Sequence, residues 1–181
     1  MAGGRDAGRR WRAEYLKLTY GCGKYRPYET LVREAAEAPG LGAKHAAALA
    51  ARWDELAPWD DVPEFLQKIP DNVRVGVVTN CSEALGRRAA ERVYAFDVVM
   101  TSERAGYYKP DPAPYRAALE ALGVAPKDAL FVAGSGYDLF GTGAVGIPTL
   151  WHNRAGLAKP ESAPAPLAER RTLHELLPFL K

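Results

Sequence analysis

Apolar positions along the first 56 residues recur at helical spacing, and from residue 74 onward the recurrence changes to short β-branched runs separated by helical stretches. Trp11, Tyr15 and Leu18 lie four and three apart, and Leu16 and Tyr20 four apart, which predicts a helix over 11–20. Gly21-Cys22-Gly23 interrupts it. Pro27 suits a first helical turn, and 28–38 reads as a second helix ended by Pro39-Gly40. The Ala-rich stretch 43–56 reads as a third, with Trp53 and Leu56 as its larger anchors. Residues 11–57 therefore read as an all-helical unit, preceded by a loose Gly- and Arg-rich tail over 1–10.

The turn cluster 57–63, with Pro58 and Pro63, marks the expected boundary. A short helix over 64–68 leads to a strand over 74–79, a helix over 83–93 and a strand over 95–100. A helix over 112–122 follows, with Asp111 as N-cap and Gly123 just past its end. Next come a strand over 129–133, a helix over 136–145 closed by Gly146, and a strand over 147–151. The chain is then Pro- and Ala-rich from 155 until a short amphipathic helix over 173–180. Alternation of this kind predicts an α/β core over 58–181, a parallel sheet with right-handed crossovers.

Composition narrows the class without naming it. Of 181 residues, 48% are apolar and 25% charged, a globular balance. The net charge of +2 argues against a nucleic-acid partner, and the Arg5, Arg9, Arg10 and Arg12 cluster reads as a solvated face. No apolar run approaches the ~18 residues of a membrane span, and the first ten residues have no apolar core of a secretory signal. Cys22 and Cys81 show no disulfide-framework spacing. Together these point to a soluble, cytoplasmic protein.

Candidate chemistry sits at strand ends, where open α/β sheets bind ligands. Thr79 and Asn80 close the β-branched run 74–79; the bland alternative is that they, with Ser82, only cap the next helix. Lys109 precedes Pro110, which disfavours helical backbone at the lysine and predicts an extended loop conformation. Ser135 and Asp138 stand three apart at a helix start, a spacing that suits a capping box. Asp138 is also the obvious partner for Lys109, a pairing that would keep both groups charged.

The order of these signals is more specific than any one of them. A strand with Thr79-Asn80-Cys81-Ser82, then Lys109-Pro110-Asp111, then a strand with Gly134-Ser135 and Asp138, then Gly146-Ile147-Pro148-Thr149 with Trp151, Asn153 and Arg154, resembles the haloacid dehalogenase (HAD) superfamily. The 2-haloacid dehalogenase branch is the most similar, over about residues 11–155. The resemblance implies a Rossmann-like α/β core with a small helical cap. It also implies an aspartyl nucleophile that displaces halide from the carbon beside a carboxylate, followed by hydrolysis of the ester. By position, Thr79 and Asn80 hold the substrate carboxylate through hydroxyl and backbone N–H groups. Lys109 neutralises the nucleophile's surroundings, and Asp138 fixes that lysine. Arg12 meets carboxylate or halide from the cap, Tyr115 gives support, and Ser135 lies among the substrate-binding positions. The implied partner is a small 2-halo or similar carboxylic acid; a homodimer stays open.

This sequence departs from the family pattern at two places. Gly134 stands where HAD phosphatases carry a magnesium-binding aspartate, and a hard cation wants several oxygen ligands, so no metal and no cofactor are expected. The family's opening motif, an apolar strand ending Asp-x-x-Gly-Thr, has no counterpart before Trp11; Asp6 has no apolar strand ahead of it. In the family that strand lies between the equivalents of 75–79 and 129–133. Its absence would leave a gap of about 9–10 Å at ~4.8 Å per strand spacing. The flanking strands then pair directly, another segment fills the gap, or the chain is N-terminally incomplete. The last reading makes these residues inactive alone. A non-catalytic protein that binds a small anion or partner is the alternative. A nucleotide-binding domain is disfavoured because no Gly-x-Gly-x-x-Gly follows a strand.

Overall fold

The structure is a computed structural model that describes residues 4–180. Its N-terminal third is helical: α1 (Arg5–Cys22), α2 (Tyr28–Glu37) and α3 (Ala43–Ala51), followed by a 3-10 turn at Trp53–Glu55. The first helix starts at Arg5, inside the stretch expected to be a loose tail; residues 1–3 lie outside the described residues. Ala7 explains the earlier start, because it is buried against Ala36 and Leu41 with Trp11 beside it. Tyr28, Val32 and Ala46 cluster with Cys81 and Leu85, so the helical third packs on the α/β part of the chain.

Then come α4 (Val62–Gln67), β1 (Gly76–Thr79), α5 (Glu83–Glu91), β2 (Val98–Thr101), α6 (Ser102–Ala105), α7 (Pro112–Leu122), β3 (Phe131–Ala133), α8 (Asp138–Val145), β4 (Thr149–His152) and β5 (Ala168–Arg170). Asp111 caps α7, accepting from the Ala113 N–H, and Gly123 ends it in the left-handed region at φ 64°. The C-terminal segment His174–Phe179 is a 3-10 helix containing Pro178, within the stretch where a short amphipathic helix is expected. The four-residue helix α6 and strand β5 have no counterpart in the sequence pattern.

All strand pairs within the sheets are parallel, as alternation requires. They form two sheets, β1-β2 and β3-β4-β5. Among the described residues β1 and β3 are not paired to each other, and no other segment pairs with either of their outer edges. Burial reflects this: β2 and β4 are mostly buried, while the apolar β1 is exposed at Gly76 and only half-buried from Val77 to Thr79. The main core, Phe65, Leu66, Leu150, Leu173 and Leu176, lies at the amino ends of the strands, with Val75, Leu130 and Val132 at its margin.

Candidate active site

The carboxyl ends of β1 and β3 meet around Lys109. Its ammonium lies 2.9 Å from Asp138 Oδ1 and 5.9 Å from the centre of the Phe131 ring on β3. The side chains are 15% and 5% exposed, so both charges are largely out of water and each depends on the other. The Tyr115 hydroxyl, on α7, donates to the same Asp138 oxygen at 2.7 Å. Burial, then the adjacent carboxylate, push the tyrosine well above its ordinary pKa, which keeps its proton on the oxygen as donor. Tyr115 reaches this far because Gly141 of α8 has no side chain: a Cβ there would collide with the tyrosine ring and lie 2.6 Å from the Pro110 carbonyl.

Asn80, just past β1, fixes the lysine by its main chain. Its Oδ1 accepts from the Lys109 N–H at 2.7 Å and its Nδ2 donates to the Lys109 carbonyl at 3.1 Å. Ser102 Oγ donates to the same Oδ1 at 2.8 Å. Lys109 itself lies in a turn and is joined to Pro110 by a cis peptide. Thr79 is half-buried at the end of β1, and its hydroxyl makes no hydrogen bond among the described residues.

Capping does not explain Asp138 or Asn80. The residue before α8 is Tyr137, which makes no side-chain cap; Ser135 Oγ accepts from the Tyr137 N–H at 3.3 Å, and Asp138 faces Lys109 instead. Ser82 precedes α5 without capping it, because its hydroxyl donates to Glu29 of α2 at 2.6 Å.

Helix α1 closes the site from above. Tyr15 donates to the Asn80 carbonyl at 3.0 Å and Tyr20 to Ser135 Oγ at 3.0 Å. Tyr20 also stacks on Tyr137, ring centres 4.6 Å apart. Burial raises the Tyr20 pKa, while Arg12 on the same helix opposes the shift. Arg12 is therefore near this seam, with its side chain exposed to solvent. Thr79, Asn80, Lys109, Tyr115, Ser135 and Asp138 thus share one neighbourhood, and Arg12 stands at its edge. Tyr15, Tyr20, Ser102, Phe131 and Gly141 also build it and do not stand out in the sequence. For Gly141 a signal exists, since a glycine inside a helical pattern usually has a packing reason. The tyrosines give none, because their acceptors lie 65 and 115 residues away.

Below the ion pair a cavity of about 590 Å³ runs between the facing edges of β1 and β3. Lys109, Tyr115 and Asp138 line one end; Phe65, Ile69 and Leu180 line the other. Among the described residues no group of three His, Cys, Asp or Glu side chains stands close enough to hold a metal ion, and no helix is long and apolar enough to cross a membrane.

Comparison with known proteins places this geometry. A family model described as a haloacid dehalogenase-like hydrolase matches residues 5–141. An (S)-2-haloacid dehalogenase 4A of Burkholderia cepacia is 31% identical over 137 residues, 73% of this chain and 59% of that protein, so the chain spans under two thirds of that relative's length. An (S)-2-haloacid dehalogenase of Pseudomonas sp. (strain YL) is 26% identical over 167 residues, 84% of this chain and 72% of the relative. The solved structure of L-2-haloacid dehalogenase from Xanthobacter autotrophicus with chloropropionic acid covalently bound superposes with a TM-score of 0.86, over 97% of this chain and 85% of that one. At 20% identity, that likeness speaks for the fold.

Proposed function

Because the chain belongs to the haloacid dehalogenase-like hydrolases, we propose that residues 4–180 form the lysine-bearing and substrate-holding part of a 2-haloacid dehalogenase site, and that they do not turn over alone. The observation that carries this reading is the Lys109–Asp138–Tyr115 cluster at the joint carboxyl end of β1 and β3. In the proposed reaction a carboxylate displaces halide from the carbon beside the substrate's own carboxylate, forming an ester that water then hydrolyses. The ammonium of Lys109 faces the negative charge gathered there. The Thr79 hydroxyl and the backbone N–H groups at 79–80 receive the substrate carboxylate, with Arg12 approaching from α1. The substrate and the attacking group are both anionic, so a fixed cation offsets a repulsion that would otherwise oppose the encounter.

The carboxylates lining the cavity are Asp128, at the far end of β3, and Asp138, already held by Lys109 and Tyr115. Asp128 lies away from the lysine and Asp138 is paired to it, which is why inactivity is proposed for these residues alone. The test is chloride release from 2-chloropropionate. None is expected from the 181-residue chain. Release is expected from a chimera with an apolar strand ending in aspartate joined ahead of Met1, and its loss on adding Lys109→Ala. Normal turnover by the chimera carrying Lys109→Ala would remove the lysine from the site. The same cavity supports a second reading, a non-catalytic protein that binds a small anion. Ligand-dependent melting without turnover by the chimera would favour it.

A further inference from the structure

A second cavity, of about 260 Å³, lies in the helical third and shares no lining residue with the Lys109 cluster. It exists because α3 turns small residues, Ala46 and Ala47 among them, toward Tyr28 and Val32 of α2. Leu85 of α5 and the Trp53 ring close it further. That ring is held by its N–H on the Leu85 carbonyl at 2.8 Å and by an edge-to-face contact with Tyr28, ring centres 6.1 Å apart. The interior is thus apolar with a fixed aromatic corner. An apolar cavity of ~150 Å³ already takes up benzene, so this one has room for one leucine- or phenylalanine-sized side chain.

The charged residues lining it are Glu29 and Arg33, both exposed and therefore at its mouth. They stand four apart on α2, the spacing at which such residues ordinarily pair. Here they do not. Glu29 Oε1 accepts from Ser82 Oγ at 2.6 Å, and Glu34, beside Arg33, is taken by Arg26 at 2.7 Å. Among the described residues Arg33 makes no ion pair and no side-chain hydrogen bond. A carboxylate keeps its second oxygen as an acceptor when the first is used, and a guanidinium has five donors. The mouth therefore presents an acceptor and a donor of opposite charge, on stems about 5–6 Å apart at Cβ, above an apolar interior.

We propose that this cavity binds a free apolar α-amino acid, its side chain between α2 and α3, its carboxylate on Arg33 and its ammonium on Glu29. The two charges of such a zwitterion match the two left unpaired at the mouth. A simple carboxylate meets Arg33 but faces the like charge of Glu29, and a simple amine meets Glu29 but faces Arg33, so each is disfavoured. The proposal goes beyond the reaction at Lys109 and is measured without turnover, so failure of either leaves the other standing.

The probe is L-phenylalanine, titrated into the full chain and followed by calorimetry, with 3-phenylpropanoate and 2-phenylethylamine as its singly charged counterparts. Saturable binding of phenylalanine is expected, with each counterpart at least about tenfold weaker. Arg33→Met should remove the advantage of phenylalanine over 2-phenylethylamine. Glu29→Gln, which keeps an acceptor for Ser82, should remove its advantage over 3-phenylpropanoate. Ala47→Leu fills the cavity from an exposed position and should abolish binding. Excess 2-chloropropionate should not displace the amino acid. The comparison of the three compounds needs no variant, so it stands even where a variant folds poorly. No saturable binding up to ~10 mM, equal binding by the three compounds, or binding that survives Ala47→Leu overturns the proposal. So does displacement by 2-chloropropionate, which would put the amino acid at Lys109. A dimer in sedimentation that Ala47→Leu disrupts also overturns it, because a second copy of the chain would then cover the cavity.

Discussion

Lys109→Met keeps a long, flexible side chain against Phe131 and removes only the charge. Asp138 is then left with the Tyr115 hydroxyl as its side-chain partner, at 5% exposure. Removing one member of a buried ion pair costs about 3–5 kcal/mol, because the remaining charge is uncompensated. The lysine adds a cation–π contact with Phe131 at 5.9 Å, about 0.5–1 kcal/mol, lost in the same step. For a chain of this size about 2–4 °C of melting temperature corresponds to 1 kcal/mol, so the variant should melt roughly 7–24 °C lower. Adding Asp138→Asn removes the orphaned charge and keeps an acceptor for Tyr115, so the double variant should recover at least half of the loss. The assay is thermal unfolding by circular dichroism at pH 7 for wild type, both single variants and the double. A Lys109→Met shift under about 2 °C, or a double variant no better than Lys109→Met, would mean that water reaches the pair freely and that the cluster is not desolvated.

Three further outcomes are expected. Gly141→Ala should lower stability by about 1–3 kcal/mol, since the methyl meets the Tyr115 ring and the Pro110 carbonyl; urea unfolding checks it, and a neutral result would refute the close packing of α7 on α8. Hydrogen bonds from the Arg154 guanidinium at 2.6 Å hold the Asp61 carboxyl below its ordinary pKa. Its stabilisation is thus present above the unfolded-state value near ~3.9 and is lost as pH falls through the folded value. Asp61→Asn should be less stable at pH 7 and show a smaller drop in melting temperature between ~pH 5 and ~pH 2. Burial pushes the Cys81 thiol up to about 12, while Cys22 is partly exposed. A disulfide reagent should therefore titrate Cys22 quickly in the native protein and both thiols only after denaturation.

What the chain discloses before folding depends on where the determinant lies. Strand β1 is legible because Val75, Val77 and Val78 form a β-branched run, and α7 because Asp111 and Gly123 bracket it. Strand β5 is not, since Ala168-Glu169-Arg170 has no strand-like pattern; it is held by β4, with the Leu167 N–H on the Thr149 carbonyl and the Asn153 N–H on the Arg170 carbonyl. At the site, Lys109, Asp138 and Tyr115 are legible through their order along the chain. Their mutual hydrogen bonds are not, nor is the use of both polar atoms of Asn80 on Lys109. The gap between β1 and β3 is only one of several outcomes that the sequence allows. Residue pattern cannot show whether the two edges draw together, because that depends on the helices packed outside each sheet.

The bracket that Asn80 places on the Lys109 peptide has a bearing on how this surface can evolve. Lys109's anchorage comes from β1 on one side and, through the Tyr108 N–H on the Gly23 carbonyl, from the end of α1 on the other. The ammonium is thus surveyed from two fixed points, as a surveyor's mark is, so a change at the exposed Arg104 need not displace it.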